Sequence, residues 1–228
     1  MIKKFNKDYF KYLFPQRTRL MTEYGLSNDS EDGIVRNQIS KMVEKDYDMI
    51  KDFLPKSCNS VLDIGCGLGL IDLAIYNHYG KVNLNLLDKT QDLDESKPLR
   101  GFNGKKYSFY NSLDASRATL EGNGVNPKDI SCYEVDSHRE LYNNKYDVII
   151  SLLSCGWHYS IELYVDLIQK CLSPEGVLIL DIRSNTDQLE YAKTHFELVN
   201  VVVNTAESKH DGGTIGDRYV FKLKNNAN

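Results

Sequence analysis

"VLDIGCGLGL", residues 61–70, decides how the rest of the chain is read. Val61 to Ile64 is a short apolar run, and it opens directly into glycines. Leu68 to Tyr79 then carries apolar residues at helical spacing. A strand that runs through glycines into a helix is a ligand-binding turn. Glycine lets backbone approach a ligand closely, and the helix start favours negative charge. Gly65, Gly67 and Gly69 give the spacing G-x-G-x-G. The dinucleotide fingerprint needs its third glycine one position later, where this chain has Leu70, and that weakens a nicotinamide-dependent oxidoreductase reading.

Outward from this turn, strand-like and helix-like stretches alternate. Val82 to Leu87 reads as a second strand, ending at Asp88. A long polar connection, residues 89–106, follows; a connection of that length in a compact domain is commonly a lid or binding loop. Residues 112–125 read as a helix with its stop signal at Gly122 and Gly124. "ISCYEV" (130–135) is a third strand ending at Asp136, and "YDVIISLL" (146–153) a fourth. Residues 161–172 form a helix, 176–183 a fifth strand and 187–196 a further helix. Residues 198–205 and 217–224 are two last strands, close enough for a hairpin. Continuous apolar strands separated by helices predict a parallel sheet covered on both faces. The expected class is α/β, a doubly wound, mostly parallel seven-stranded sheet with an antiparallel edge hairpin.

The preceding segment, 1–57, is expected to be a helical N-terminal cap, with 58–228 as the catalytic domain. "RNQISKMVEKDYDMIKDFLP" (36–55) presents Ile39, Met42, Val43, Tyr47, Ile50 and Phe53 as one apolar stripe, most simply core packing.

Composition excludes several classes. The chain has 228 residues, 41% hydrophobic and 26% charged, with a formal net charge of −4. This acidity argues against a chain devoted to gripping nucleic acid, which needs a basic face. No apolar run approaches the roughly 20 residues of a membrane span. The opening "MIKKFNKDYFKYLF" lacks the apolar core of a signal peptide, so a cytoplasmic location is the expectation. The five cysteines, Cys58, Cys66, Cys132, Cys155 and Cys171, contain no C-x-x-C pair, and reduced, mostly buried thiols are expected.

"VLDIGCGLG" resembles motif I of the class I S-adenosylmethionine-dependent methyltransferases, and the strand order fits that family over about residues 58–224. The resemblance implies S-adenosyl-L-methionine as methyl donor and S-adenosyl-L-homocysteine as product. It implies that Asp63 is the motif I acid, ordering the glycine turn near the methionine amino group. Gly65, Cys66 and Gly67 would pack against the cofactor. Asp88 would accept from both ribose hydroxyls, a role suited to a carboxylate. Asp136 would accept from the adenine amino group, with Val135 on the ring; capping a helix near His138 is the other reading of Asp136. Ser154 would also line the cofactor site.

The loop "SLLSCGWHYS" (151–160) then faces the transferring methyl. His158 is the candidate general base, since neutral imidazole takes a proton near pH 7. Trp157 and Tyr159 would wall the acceptor pocket; the plain alternative makes Trp157 core. Arg183 would grip a phosphate or carboxylate, or else form a surface ion pair. His210 is a further acceptor-side candidate, and Arg17, Arg19 and Tyr24 are offered by analogy as a closing cap. No metal is expected.

The loop lacks the Asp/Asn-Pro-Pro-aromatic motif of DNA amino methyltransferases. The expected reaction is O-methylation of a polar small molecule, such as a sugar or a phosphorylated or carboxylated metabolite. RNA or protein methylation, and a non-catalytic cofactor-binding module, stay open at this point.

Overall fold

A computed structural model describes residues 1–13, 20, 23–26, 30–90, 111–208 and 214–224. Among these, seven strands form one sheet: β1 (Ser60–Ile64), β2 (Asn83–Asp88), β3 (Ile130–Glu134), β4 (Tyr146–Ser151), β5 (Leu172–Arg183), β6 (Phe196–Ser208) and β7 (Thr214–Leu223). Their order is β3-β2-β1-β4-β5-β7-β6. Neighbours from β3 to β5 are parallel, and β7 runs antiparallel to both β5 and β6. The doubly wound sheet with its antiparallel edge is therefore as expected.

The apolar strands are buried on both faces because successive side chains alternate sides. Val61, Val148, Ile150, Val177 and Ile179 join one core, with α1 (Asp32–Asp48), α2 (Leu70–Tyr79) and α3 (Leu113–Gly122). Leu62, Ile64, Ile149, Leu178 and Leu180 join the other, with α4 (Val165–Cys171) and α5 (Gln188–His195). The predicted N-terminal stripe lies in the first core. Ile39, Met42, Val43 and Ile50 are buried there, while Tyr47 and Phe53 pack at its edge.

Several boundaries move for local reasons. The N-terminal helix ends at Asp48, and Lys51–Phe53 forms a separate 3-10 turn. α3 starts at Leu113 because the Ser112 hydroxyl caps it, accepting from the Ala115 N–H at 3.2 Å. β3 stops at Glu134, and Val135 opens a 3-10 helix. β4 stops at Ser151 because Leu153 turns into the left-handed region, φ 57°. The 161–172 helix divides into a 3-10 turn, Ile161–Leu163, and α4.

The chain steps from β1 outward to β2 and β3, then returns to the other side of β1 as β4. That reversal leaves a crevice at the carboxyl ends of β1 and β4, the usual ligand position in open α/β sheets.

Candidate functional site

The glycine turn fills the β1 side of the crevice. Gly65 has φ 78°, and a Cβ there would collide with the Ser154 side chain, so only glycine fits under the loop after β4. Its N–H donates to the Leu87 carbonyl at 2.7 Å. Gly67, φ 53°, differs: nothing lies within 4 Å of where its Cβ would stand. This open backbone face is a cradle that a ligand can enter. α2 begins at Leu70, immediately after left-handed Gly69, so the third glycine of the spacing belongs to the turn.

Asp88 anchors the turn from β2. Its Oδ2 accepts from the Gly67 N–H at 2.8 Å and its Oδ1 from the Lys89 N–H at 2.7 Å. Burial pushes its carboxyl up to about 6, against the restraint of those N–H groups and the neighbouring Asn111 amide. The Ser116 hydroxyl on α3 closes the turn from outside, donating to the Gly67 carbonyl at 2.5 Å.

Behind the turn lie two buried carboxyl groups. Asp63 on β1 is 2% exposed and Asp72 on α2 fully buried. The two carboxyl groups interact with each other electrostatically. Burial drives both upward, and the charges of Asp72 and Asp88 push Asp63 further. Asp63 Oδ1 and both Asp72 oxygens have no hydrogen-bond partner. The group holding the Gly67 N–H is thus Asp88. Cys66 is buried, its Sγ 3.4 Å from the Gly67 carbonyl; burial and the charge of Asp88 push the thiol up, so it stays protonated. All five cysteines are unpaired, with Cys132 only half-buried.

Val135 and Asp136 follow the end of β3. Val135 is half-buried against the second core. Asp136 is exposed and pairs with Lys89 at 3.2 Å. It makes no helix cap: the position before the 3-10 helix is Glu134, whose side chain instead accepts from the Thr90 N–H at 3.0 Å.

The loop after β4 fills the opposite side. The Ser151 hydroxyl donates to the Ile64 carbonyl at 2.6 Å and accepts from the Cys155 N–H at 2.8 Å, tying the loop to the end of β1. The Ser154 carbonyl accepts from the N–H groups of Trp157, His158 and Tyr159 at 3.0, 2.8 and 3.0 Å. This tight turn sends the three rings to different environments. Trp157 is 1% exposed, packed against Gly216 and beneath the Arg183 guanidinium, whose central carbon is 5.4 Å from the ring centroid. His158 is half-buried, and Tyr159 is 40% exposed. Burial first, then the charge of Asp88, raises the Tyr159 hydroxyl. Arg183 is buried, not a surface ion-pair residue. His210, Arg17 and Arg19 lie outside the described residues; Tyr24 packs at the edge of the first core.

Three residues escaped the sequence reading. Asn111 is buried beside Asp88, and neither amide atom completes a well-formed hydrogen bond with protein. Its position, just before the Ser112 cap, was the available signal. Asp72 looked like an ordinary first-turn acid of α2. Arg218, buried on β7, carried no local signal. Among the described residues no three His, Cys, Asp or Glu side chains gather as a metal site, and no helix is long and apolar enough to cross a membrane.

No protein-family model matches the chain, and no curated protein matches it significantly. Solved structures do. StiE O-MT aligns with TM-score 0.58 at 11% identity, covering 95% of this chain and 90% of that one. A predicted O-methyltransferase from Agrobacterium tumefaciens, Atu636, aligns with TM-score 0.52 at 16% identity, covering 78% and 81%. YjhP from E. coli aligns with TM-score 0.53 at 10% identity, covering 79% and 92%. At these identities the likeness is one of architecture, and it agrees with the strand order and glycine turn. The chain has the class I methyltransferase fold.

Proposed function

We propose that the protein is an S-adenosylmethionine-dependent methyltransferase that acts on an oxygen of a polar small molecule. The observation that carries this reading is the open backbone face of Gly67 at the β1/β4 crevice, with the Asp88 carboxylate beside it. The buried polar atoms around it fit the donor. Asp63 Oδ1 lacks a partner on the β1 side, where the resemblance puts the methionine ammonium, and the Asn111 amide lacks one beside Asp88. Bound there, S-adenosylmethionine supplies a methyl group activated on a sulfonium.

The chain's own groups then divide the work. Gly65, Cys66 and Gly67 present backbone, and Asp88 accepts from the ribose hydroxyls while still holding the turn. Asn111 offers one donor and one acceptor to the adenosine. Val135 would flank the adenine, and exposed Asp136 would accept from its amino group in place of Lys89. Ser154 closes the donor pocket over Gly65. His158, half-buried on the loop after β4, takes the proton from the acceptor hydroxyl. Tyr159 is the exposed wall of the acceptor site. Trp157 and Arg183 support that wall from beneath, and His210 is retained as an acceptor-side group. Residues 1–57 serve as the cap. The net charge of −4 favours a small acceptor over nucleic acid.

The deciding experiment is transfer of labelled methyl from S-adenosylmethionine into a cell extract separated into metabolite, nucleic-acid and protein fractions. Label in metabolites supports the reading. Label in nucleic acid or protein replaces it with a macromolecular acceptor. Cofactor binding without label in any fraction favours a non-catalytic module. Once an acceptor is found, His158→Ala is expected to lower kcat by about 10²-fold or more at unchanged cofactor affinity. Full turnover in that variant would assign the rate to positioning alone.

A further inference from the structure

Packing does not hold Gly67: nothing stands within 4 Å of where its Cβ would be, and its φ is 53°. A glycine in that setting has wide conformational freedom, so hydrogen bonds must choose its shape. They come from two directions. The Gly67 N–H donates to Asp88 Oδ2 at 2.8 Å, and the Gly67 carbonyl accepts from the Ser116 hydroxyl at 2.5 Å. The Cys66 thiol, 3.4 Å from the same carbonyl, is a weaker donor. Asp88 ends β2, and Ser116 belongs to α3.

Ser116 is fully buried, and its hydroxyl has two acceptors within reach. The Ser112 carbonyl, one helical turn back, stands 3.0 Å away and is the usual acceptor for a serine within a helix. The hydroxyl has one proton, and the shorter contact is the one across to Gly67, 49 positions away in the chain. Alanine is the better helix former, so nothing in α3 itself asks for serine at this position. α3 can impose a position on the turn because it is fixed elsewhere. Buried Leu120 lies against Gly69, where a Cβ would meet its Cδ1 at 3.1 Å. The Arg117 guanidinium donates to the Ile130 carbonyl of β3 at 3.1 Å. At the helix end, the buried Asn123 side chain accepts from the Lys3 and Lys4 N–H groups at 2.7 and 3.0 Å, and donates to the Lys4 and Thr119 carbonyls at 2.8 and 2.7 Å.

We propose that Ser116 is a positioning residue for the methyl donor: with Asp88 it clamps the Gly67 peptide in its left-handed shape, and so keeps the ligand face of the turn formed before the ligand arrives. Ordering the turn in advance lowers the entropy cost of binding. The identity of the ligand rests on the function proposed above; the clamp on Gly67 does not.

The test uses the full chain and two readouts. Amide hydrogen exchange at Gly67, followed by NMR without any ligand, reports the clamp. Calorimetric titration with S-adenosylhomocysteine reports the pocket. Ser116→Ala is expected to speed exchange at Gly67 severalfold while the amides of β1 and β4 keep their protection. It should weaken S-adenosylhomocysteine by about three- to tenfold, the loss of one hydrogen bond. In an Asp88→Ala background the same substitution should cost less, because both groups act on one peptide; a merely structural serine would cost the same in both backgrounds. Ser116→Cys, which keeps a weaker donor, should fall between serine and alanine in both readouts, and it decides the matter if the alanine variant does not fold. Wild-type exchange at Gly67 in Ser116→Ala, or equal losses of affinity in the two backgrounds, overturns the clamp. Failure of the unaltered protein to bind S-adenosylhomocysteine sinks the donor-site reading instead, and exchange at Gly67 alone then decides the clamp.

Discussion

The two sides of the crevice are built by different means. On the β1/β2 side, short-range chemistry dominates. The glycine turn follows its strand directly, and the Asp88 carboxylate takes hydrogen bonds from Gly67 and Lys89 backbone. On the β4 side, the loop depends on remote parts of the chain. Ser151 reaches Ile64, the Gly156 carbonyl accepts from the Arg183 N–H of β5, and on that same strand Asp181 is paired with Arg218, which also reaches Asp46. The lesson is that one ligand crevice can have a wall specified by a motif and a wall specified by assembly of the whole sheet.

Substitutions can break this contrast, and the largest effect is expected on the assembled side. Asp181→Ala leaves Arg218 buried with only the more distant Asp46 carboxylate. Chemical denaturation should show a loss of about 3–5 kcal/mol, the usual result of orphaning a buried charge. A loss under 1 kcal/mol would mean that the pair is a bystander. On the motif side, Gly65→Ala sets a methyl group into Ser154 in a left-handed backbone, and should cost about 2–4 kcal/mol by the same measurement. Gly67→Ala makes the sharper comparison, because the same change there meets open space. Its stability cost should be only about 1 kcal/mol, while ligand binding suffers because the cradle is filled.

Asp88 lets the ligand side be read by calorimetry. Asp88→Ala should weaken S-adenosylhomocysteine by about 1.5–3 kcal/mol, the loss of hydrogen bonds to a charged group. Unchanged affinity would remove Asp88 from the site.

The smallest effect is a pH dependence. Burial raises the Asp88 carboxyl to about 6, above its unfolded value. Between the usual carboxylate range and that point, the folded ligand-free protein holds the extra proton. Its contribution to stability is therefore present at low pH and lost as pH rises through about 6. Ribose hydroxyls bind the charged form, so ligand affinity should run the other way, rising up to about tenfold per unit below pH 6 and levelling above it. Asp88→Asn should flatten that profile; an unaltered slope would assign it to the Asp63–Asp72 pair.

Much of this was readable from residues 61–88. A continuous apolar run, a glycine turn and a strand-end acid are local patterns, and the structure places them where the pattern puts them. The loop after β4 was located but its side chains were not: nothing in "CGWHYS" says that Trp157 turns inward while Tyr159 turns out. That choice is made by Gly216, which leaves room for the indole from another strand. Asp181 ends an apolar strand and carries no local sign of its partner; β7 brings Arg218 beside it.

The sequence by itself determined the alternation of strands and helices, the sheet's two buried faces and the glycine turn, because each depends on residues a few positions apart. Only the tertiary structure decided which polar groups are buried and whom they meet. Arg218 and the Asp46 carbonyl are 172 positions apart. Burial fixes the energy of such a charge, and burial is set by how separate elements pack, which no local pattern encodes.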